Sequence, residues 1–235
     1  MPEIDEYYWY HTMDLGEGMV TDGDYDLRPH LDAYGFPDNM TGMRVLDVGR
    51  ASGFFAFEFE RRGAEVTCTE LASSADWDMK QNRPVDPEAL EWTFRRMTAG
   101  FEFARRRLNS KVLSVTASVY DLSPALFDGR RFDLVFAGSI MPHLKNPVAA
   151  FEALLSVTLG SLVIAAVSMD GDKPSMLLVN APESWWVVTD AALTGMIEAV
   201  GASAVTVVSH IAPFNKRTRT KFHHTICHAR PPARA

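Results

Sequence analysis

VLDVGRASG, residues 45–53, decides the fold. A short apolar strand carrying Asp47 near its end runs at once into a small-residue turn, and FFAFEFERRG follows as a helix that Gly63 ends. Such a strand, turn and helix expose backbone N–H groups at the carboxyl edge of a sheet, where a nucleotide-like ligand is held. Outward from this unit the chain alternates. EVTCTE (65–70), KVLSVTASV (111–119), FDLVFAG (132–138) and SLVIAAVS (161–168) read as strands, and 88–108 and 147–158 as helices, with Pro147 in a first helical turn. Strands this apolar are buried on both faces, so the pattern predicts an α/β fold with an open, mostly parallel sheet covered by helices on each side. A helix over 189–200 and strands at 203–210 and 221–229 close the chain as an antiparallel pair. The stretch 169–188 is irregular and carries Trp185 and Trp186.

The 235 residues are 47% hydrophobic and 23% charged, enough for one sizeable core. No apolar run is long enough for a membrane span, and the acidic, aromatic N-terminus is not a secretory signal, which points to the cytoplasm. Cys68 and Cys227 form no CxxC pair and read as reduced thiols. His224 and His228 share a strand face about 13 Å apart, too far for one zinc ion, so no metal is expected. The net charge of −7 disfavours nucleic acid as a partner. That charge is uneven: residues 1–40 hold ten acids and only Arg28 as a base, whereas 211–235 hold six bases and no acid. The basic end and Arg105–Arg107 read as solvated faces rather than an RNA footprint.

The dinucleotide fingerprint needs glycine at three positions, which here hold Gly49, Ala51 and Phe54. A nicotinamide-dependent oxidoreductase therefore fits poorly. Asp47, Gly49, Ala51 and Gly53 instead resemble the D-x-G-x-G-x-G turn of class I S-adenosylmethionine (SAM)-dependent methyltransferases, with Ala51 replacing the middle glycine. Over about residues 41–230 the order of elements is similar to that family's Rossmann-like, seven-stranded sheet with its closing antiparallel pair. The resemblance implies a domain at 41–230, preceded by an acidic and aromatic lid (1–40) and followed by a frayed tail (231–235). It implies SAM as cofactor, held by Asp47, Gly49, Arg50, Ala51, Ser52 and Gly53. Glu70 and Leu71 would meet the ribose, Ser118, Val119 and Tyr120 the adenine, with Asp121 a displaced acidic partner, and Ala137 and Gly138 the methionyl part.

Methyl transfer from a sulfonium is an in-line displacement in which alignment does most of the work. His143, after the fourth strand, is the expected base, with His11 beside it. Tyr10, Tyr25, Arg28, Met141, Trp185 and Trp186 are the expected acceptor contacts, and a small molecule is the expected acceptor. WYHTMDLGEGMVTDGDYDLRP and GSIMPHLKNP look like a narrower branch that includes the tRNA wobble-uridine carboxymethyltransferases. Those enzymes hold a carboxylated cofactor with cationic side chains, for which only Arg28 and Arg50 are candidates here.

Overall fold

The computed structural model describes residues 4–232, so part of the expected tail, 233–235, lies outside the described residues. Seven strands form one sheet in the order β3-β2-β1-β4-β5-β11-β8. In chain order the main elements are β1 (Arg44–Val48), α1 (Phe54–Arg61), β2 (Glu65–Glu70), α2 (Pro87–Arg107), β3 (Leu113–Thr116), β4 (Phe132–Gly138), α3 (Pro147–Val157) and β5 (Thr158–Val167). There follow β6 (Met176–Leu178), β7 (Trp186–Val188), α4 (Asp190–Ala199), β8 (Ser203–Ile211), β9 (Phe214–Asn215), β10 (Thr220–Lys221) and β11 (His224–Arg230). Strands β1 to β5 pair in parallel. β11 inserts antiparallel between β5 and β8, which is the expected closing pair.

Three expectations are corrected in detail. The third strand covers only Leu113–Thr116, because it is an edge strand with one partner, and Ser118 caps a 3-10 turn immediately after it. The stretch 169–188 contains the antiparallel hairpin β6–β7, and Val188 bridges back to Ser168. Residues 220–221 leave the last strand to pair with 214–215, as Phe222 donates its N–H to the Pro213 carbonyl.

Alternation along the central strands divides the core. On one face Val45, Leu134, Phe136, Val163 and Ile226 meet the phenylalanines of α1 and Phe101 and Ala104 of α2. On the other, Leu46, Val48, Val135, Leu162, Ile164 and Cys227 meet α3 and α4. The first face is completed by the N-terminal segment, since Trp9, Met13, Leu15, Leu27, Tyr34, Phe36 and Met40 are all buried in the same apolar cluster. What reads in sequence as a lid thus packs as core. Helix α2 starts on Asp86, whose side chain accepts the Glu88 N–H, and ends in Arg105–Arg107, where cations suit the helix dipole. No described helix is long and apolar enough to cross a membrane.

Phe136 is fully buried, and its ring lies 5.8 Å from Tyr34, 5.3 Å from Phe36 and 4.4 Å from Phe55, joining sheet, α1 and N-terminal segment. Phe136→Ala should cost about 3–5 kcal/mol, read as a lower urea midpoint. A loss under 1 kcal/mol would show that this cluster does not tie the three parts together.

Candidate active site at the carboxyl edge of the sheet

The turn after β1 is built from alternating left-handed residues, with φ +76° at Gly49, +47° at Ala51 and +93° at Gly53. A Cβ at Gly49 would lie 2.6 Å from Ile140, and one at Gly53 would lie 2.6 Å from the rings of Phe57 and Phe101. Ala51 meets the same backbone demand with a methyl group, at a cost of about 1 kcal/mol. The N–H groups of Gly49 and Arg50 both donate to the Thr69 carbonyl at 3.1 Å, pinning the turn to the end of β2.

Two carboxyl groups flank this turn. Asp47 is 2% exposed, and its Oδ2 has no hydrogen-bond partner among the described residues. Burial first, and then the neighbouring Glu70, push its carboxyl up to about 7, while Arg50 and the Ala56 N–H pull the other way. Glu70 accepts the Ala51 N–H through Oε2 at 3.1 Å and the Leu71 N–H through Oε1 at 3.0 Å. Its carboxyl is raised by burial, against these N–H groups and Arg50. Each Glu70 oxygen accepts one of these bonds and keeps acceptor capacity for a ligand hydroxyl.

The remaining expected cofactor residues are placed unequally. Arg50 turns inward: its guanidinium sits 3.8 Å over the Phe101 ring, Nε donates to Ser114 Oγ at 3.2 Å and another nitrogen donates to the Ala51 carbonyl at 2.8 Å. It supplies charge beneath Asp47 and Glu70, not a side chain above the turn. Ser52 is buried, and its Oγ accepts the Tyr10 N–H at 3.0 Å. Ser118 caps the turn carrying Tyr120, Val119 is buried in the second core, and Asp121 is exposed. Ala137 is buried, and a Cβ at Gly138 would strike the Phe136 ring.

Tyr120 donates its hydroxyl to Asp78 at 2.6 Å, and the Lys145 N–H donates to the same carboxylate at 2.8 Å. Asp78 thereby joins the ends of β3 and β4 from the long loop after β2. Lys80, 7% exposed, places its ammonium on the carbonyls of Val179 and Ser184. Trp185 donates its indole N–H to the Asp78 carbonyl and its backbone N–H to Pro142 at 2.6 Å. Sequence reasoning missed Asp78 and Lys80, which lie in a polar loop with neither motif nor periodicity.

Among the expected catalytic and acceptor residues, His143 is exposed and its Nδ1 meets the Glu183 carbonyl at 2.5 Å, which leaves Nε2 as the basic nitrogen. His11 is 8% exposed, its Nδ1 has no hydrogen-bond partner among the described residues, and burial drives its imidazole down to about 3. It stays neutral and is a poor proton acceptor. Met141 is buried in the second core, and Arg28 is held by Asp26 at 2.7 and 2.8 Å. Trp186 packs against the second core, with an indole nitrogen that has no partner among the described residues. Tyr10 and Tyr25 lie together beside the turn, their rings 5.4 Å apart.

The Asp47 shift has a definite sign. Its native carboxyl titrates above the ordinary 3.8, so stability present below that pH is lost as pH rises towards about 7. Asp47→Asn in the ligand-free protein should therefore raise the melting temperature at pH 8 by about 5 °C and change it little at pH 4. A difference that does not grow with pH would refute the assignment.

No family model matches the chain. A tRNA U34 carboxymethyltransferase of Idiomarina loihiensis is 24% identical over 193 residues, covering 78% of this chain and 51% of that protein. The chain spans about half the length of the curated relatives it matches. Among solved structures, the N-terminal domain of EvdMO1, determined with S-adenosylhomocysteine (SAH) and D-fucose, superposes with a TM-score of 0.63 at 16% identity, covering 95% of this chain and 91% of that one. The Burkholderia thailandensis 1,6-didemethyltoxoflavin-N1-methyltransferase, with its substrate and SAH, gives 0.56 at 19% identity, covering 88% and 75%. The resemblance read from the strand order is borne out at the level of fold, and the chain has the Rossmann-like, seven-stranded fold of the SAM-dependent methyltransferases.

Proposed function

We propose that the protein is a SAM-dependent methyltransferase acting on a small-molecule acceptor. The observation that carries this reading is the left-handed turn at 49, 51 and 53, flanked by the buried Asp47 and the half-buried Glu70, both with acceptor capacity left over. When bound, the cofactor supplies an electrophilic methyl group on a sulfonium. Glu70 would take the ribose hydroxyls, Asp47 the ammonium of the methionyl part, and the Ser118–Tyr120 backbone the adenine. The protein's own contribution is alignment and exclusion of water, with the N-terminal segment as a fixed wall and His143 Nε2 as the group to accept an acceptor proton.

The uneven charge of the two ends favours a small acceptor over tRNA. Lys216 meets Asp22 at 2.6 Å, Arg217 meets Asp24 at 2.9 Å, and Arg107 meets Glu17, so much of the basic surface is already engaged by the acidic segment. Buried Arg50 and paired Arg28 are likewise poorly placed to hold a second carboxylate on the cofactor. A reducing cytoplasm suits two buried free thiols.

Calorimetry with SAM, SAH and carboxy-SAM tests the reading. SAM and SAH should bind in preference to carboxy-SAM, and Glu70→Ala should weaken both by about tenfold or more, near 1.4 kcal/mol. Preference for carboxy-SAM would favour the chemistry named for the curated relatives, and binding of none of the three would overturn the assignment.

A further inference from the structure

The ground beside the turn is an aromatic corner. Tyr10 enters it from the strand-like pairing of residues 10–12 with 25, its backbone N–H fixed on Ser52 inside the turn. The Tyr25 ring lies 5.4 Å from that of Tyr10 and 6.5 Å, edge-on, from that of Phe222. The His11 ring is 4.8 Å from Tyr10 and 5.4 Å from Phe54, the residue that follows Gly53. The Ser168 N–H donates to the His223 carbonyl at 2.8 Å, which ties Phe222 to the carboxyl end of β5. Tyr10, Tyr25 and Phe222 are each partly buried rather than closed in the core.

Three acid–base pairs lie beside this corner, and the exposed Lys221, which precedes Phe222, has no ion-pair partner among the described residues. Asp22 takes Lys216, Asp24 takes Arg217 together with the Tyr8 hydroxyl at 2.7 Å, and Asp26 takes Arg28. Burial keeps the Tyr10 and Tyr25 phenols protonated and His11 uncharged. The lining of the corner itself is aromatic surface with neutral hydrogen-bonding groups, which favours a flat, uncharged molecule over an ammonium, a carboxylate or a nucleic-acid backbone.

We infer that Tyr10, Tyr25 and Phe222 form the acceptor subsite and that it takes a neutral, planar aromatic or heteroaromatic acceptor. This rests on the cofactor reading above, which puts the turn at 49–53 against the methionyl end.

The test uses full-length protein saturated with SAH and three probes sharing one ring system: 1-naphthol, 1-naphthoate and 1-naphthylmethylamine, titrated at pH 7 by calorimetry. 1-Naphthol should bind at least about tenfold more tightly than either charged probe. Tyr25→Ala and Phe222→Leu should each weaken it by about five- to tenfold while leaving SAH affinity unchanged. Phe222→Leu keeps apolar volume, so the effect does not depend on a cavity that endangers folding. SAH binding together with equal or tighter binding of a charged probe, or with 1-naphthol affinity untouched by both variants, overturns the inference alone. No binding of SAH overturns the cofactor reading beneath it.

Discussion

Everything at the carboxyl edge depends on one backbone constraint, the left-handed conformation of residues 49, 51 and 53, held by the Thr69 carbonyl and by the Glu70 carboxylate on the Ala51 N–H. That conformation lets β1 pass into α1 within five residues, with no room for side chains at 49 and 53. It also leaves Asp47 buried with an acceptor oxygen that has no hydrogen-bond partner among the described residues. A carboxyl in that state destabilises the ligand-free protein at neutral pH and is relieved by a cationic donor.

A second constraint keeps the edge in place from outside. The N-terminal segment lies against the sheet as part of the first core, and two of its acidic residues, Asp22 and Asp24, pair with Lys216 and Arg217 of the turn between β8 and β11. The exposed ion pairs in this clamp contribute little stability individually. Their effect is on charge: they pair Asp22 and Asp24 with Lys216 and Arg217 at the surface beside the turn. Across the other side, Asp78, Lys80 and Trp185 join the loop after β2 to the hairpin after β5 by polar contacts.

The sheet was legible in the sequence because buried parallel strands are apolar throughout and the turn between β1 and α1 needs glycine at fixed spacing. Glu70 was legible by its place at the end of the next strand. The burial of Trp9, Met13, Leu15 and Met40 was not legible, because they follow no helical or strand period and so leave no pattern. The charge asymmetry was visible, but Asp22 and Lys216 lie almost the whole chain apart, and nothing local shows that they meet. Arg50 reads as a cation beside a ligand; only the packing of Phe101 beneath it shows that its guanidinium turns inward.

In the proposed function, the backbone of 49–53, together with Asp47 and Glu70, holds the cofactor. Backbone amide NMR during titration with SAH addresses it directly. The account predicts that the largest shifts fall on the amides of Gly49, Ala51, Gly53 and Leu71, with the Asp47 carboxyl carbon moving towards its ionised position at pH 6.5. Saturable binding that leaves these amides unmoved and shifts others instead would contradict it.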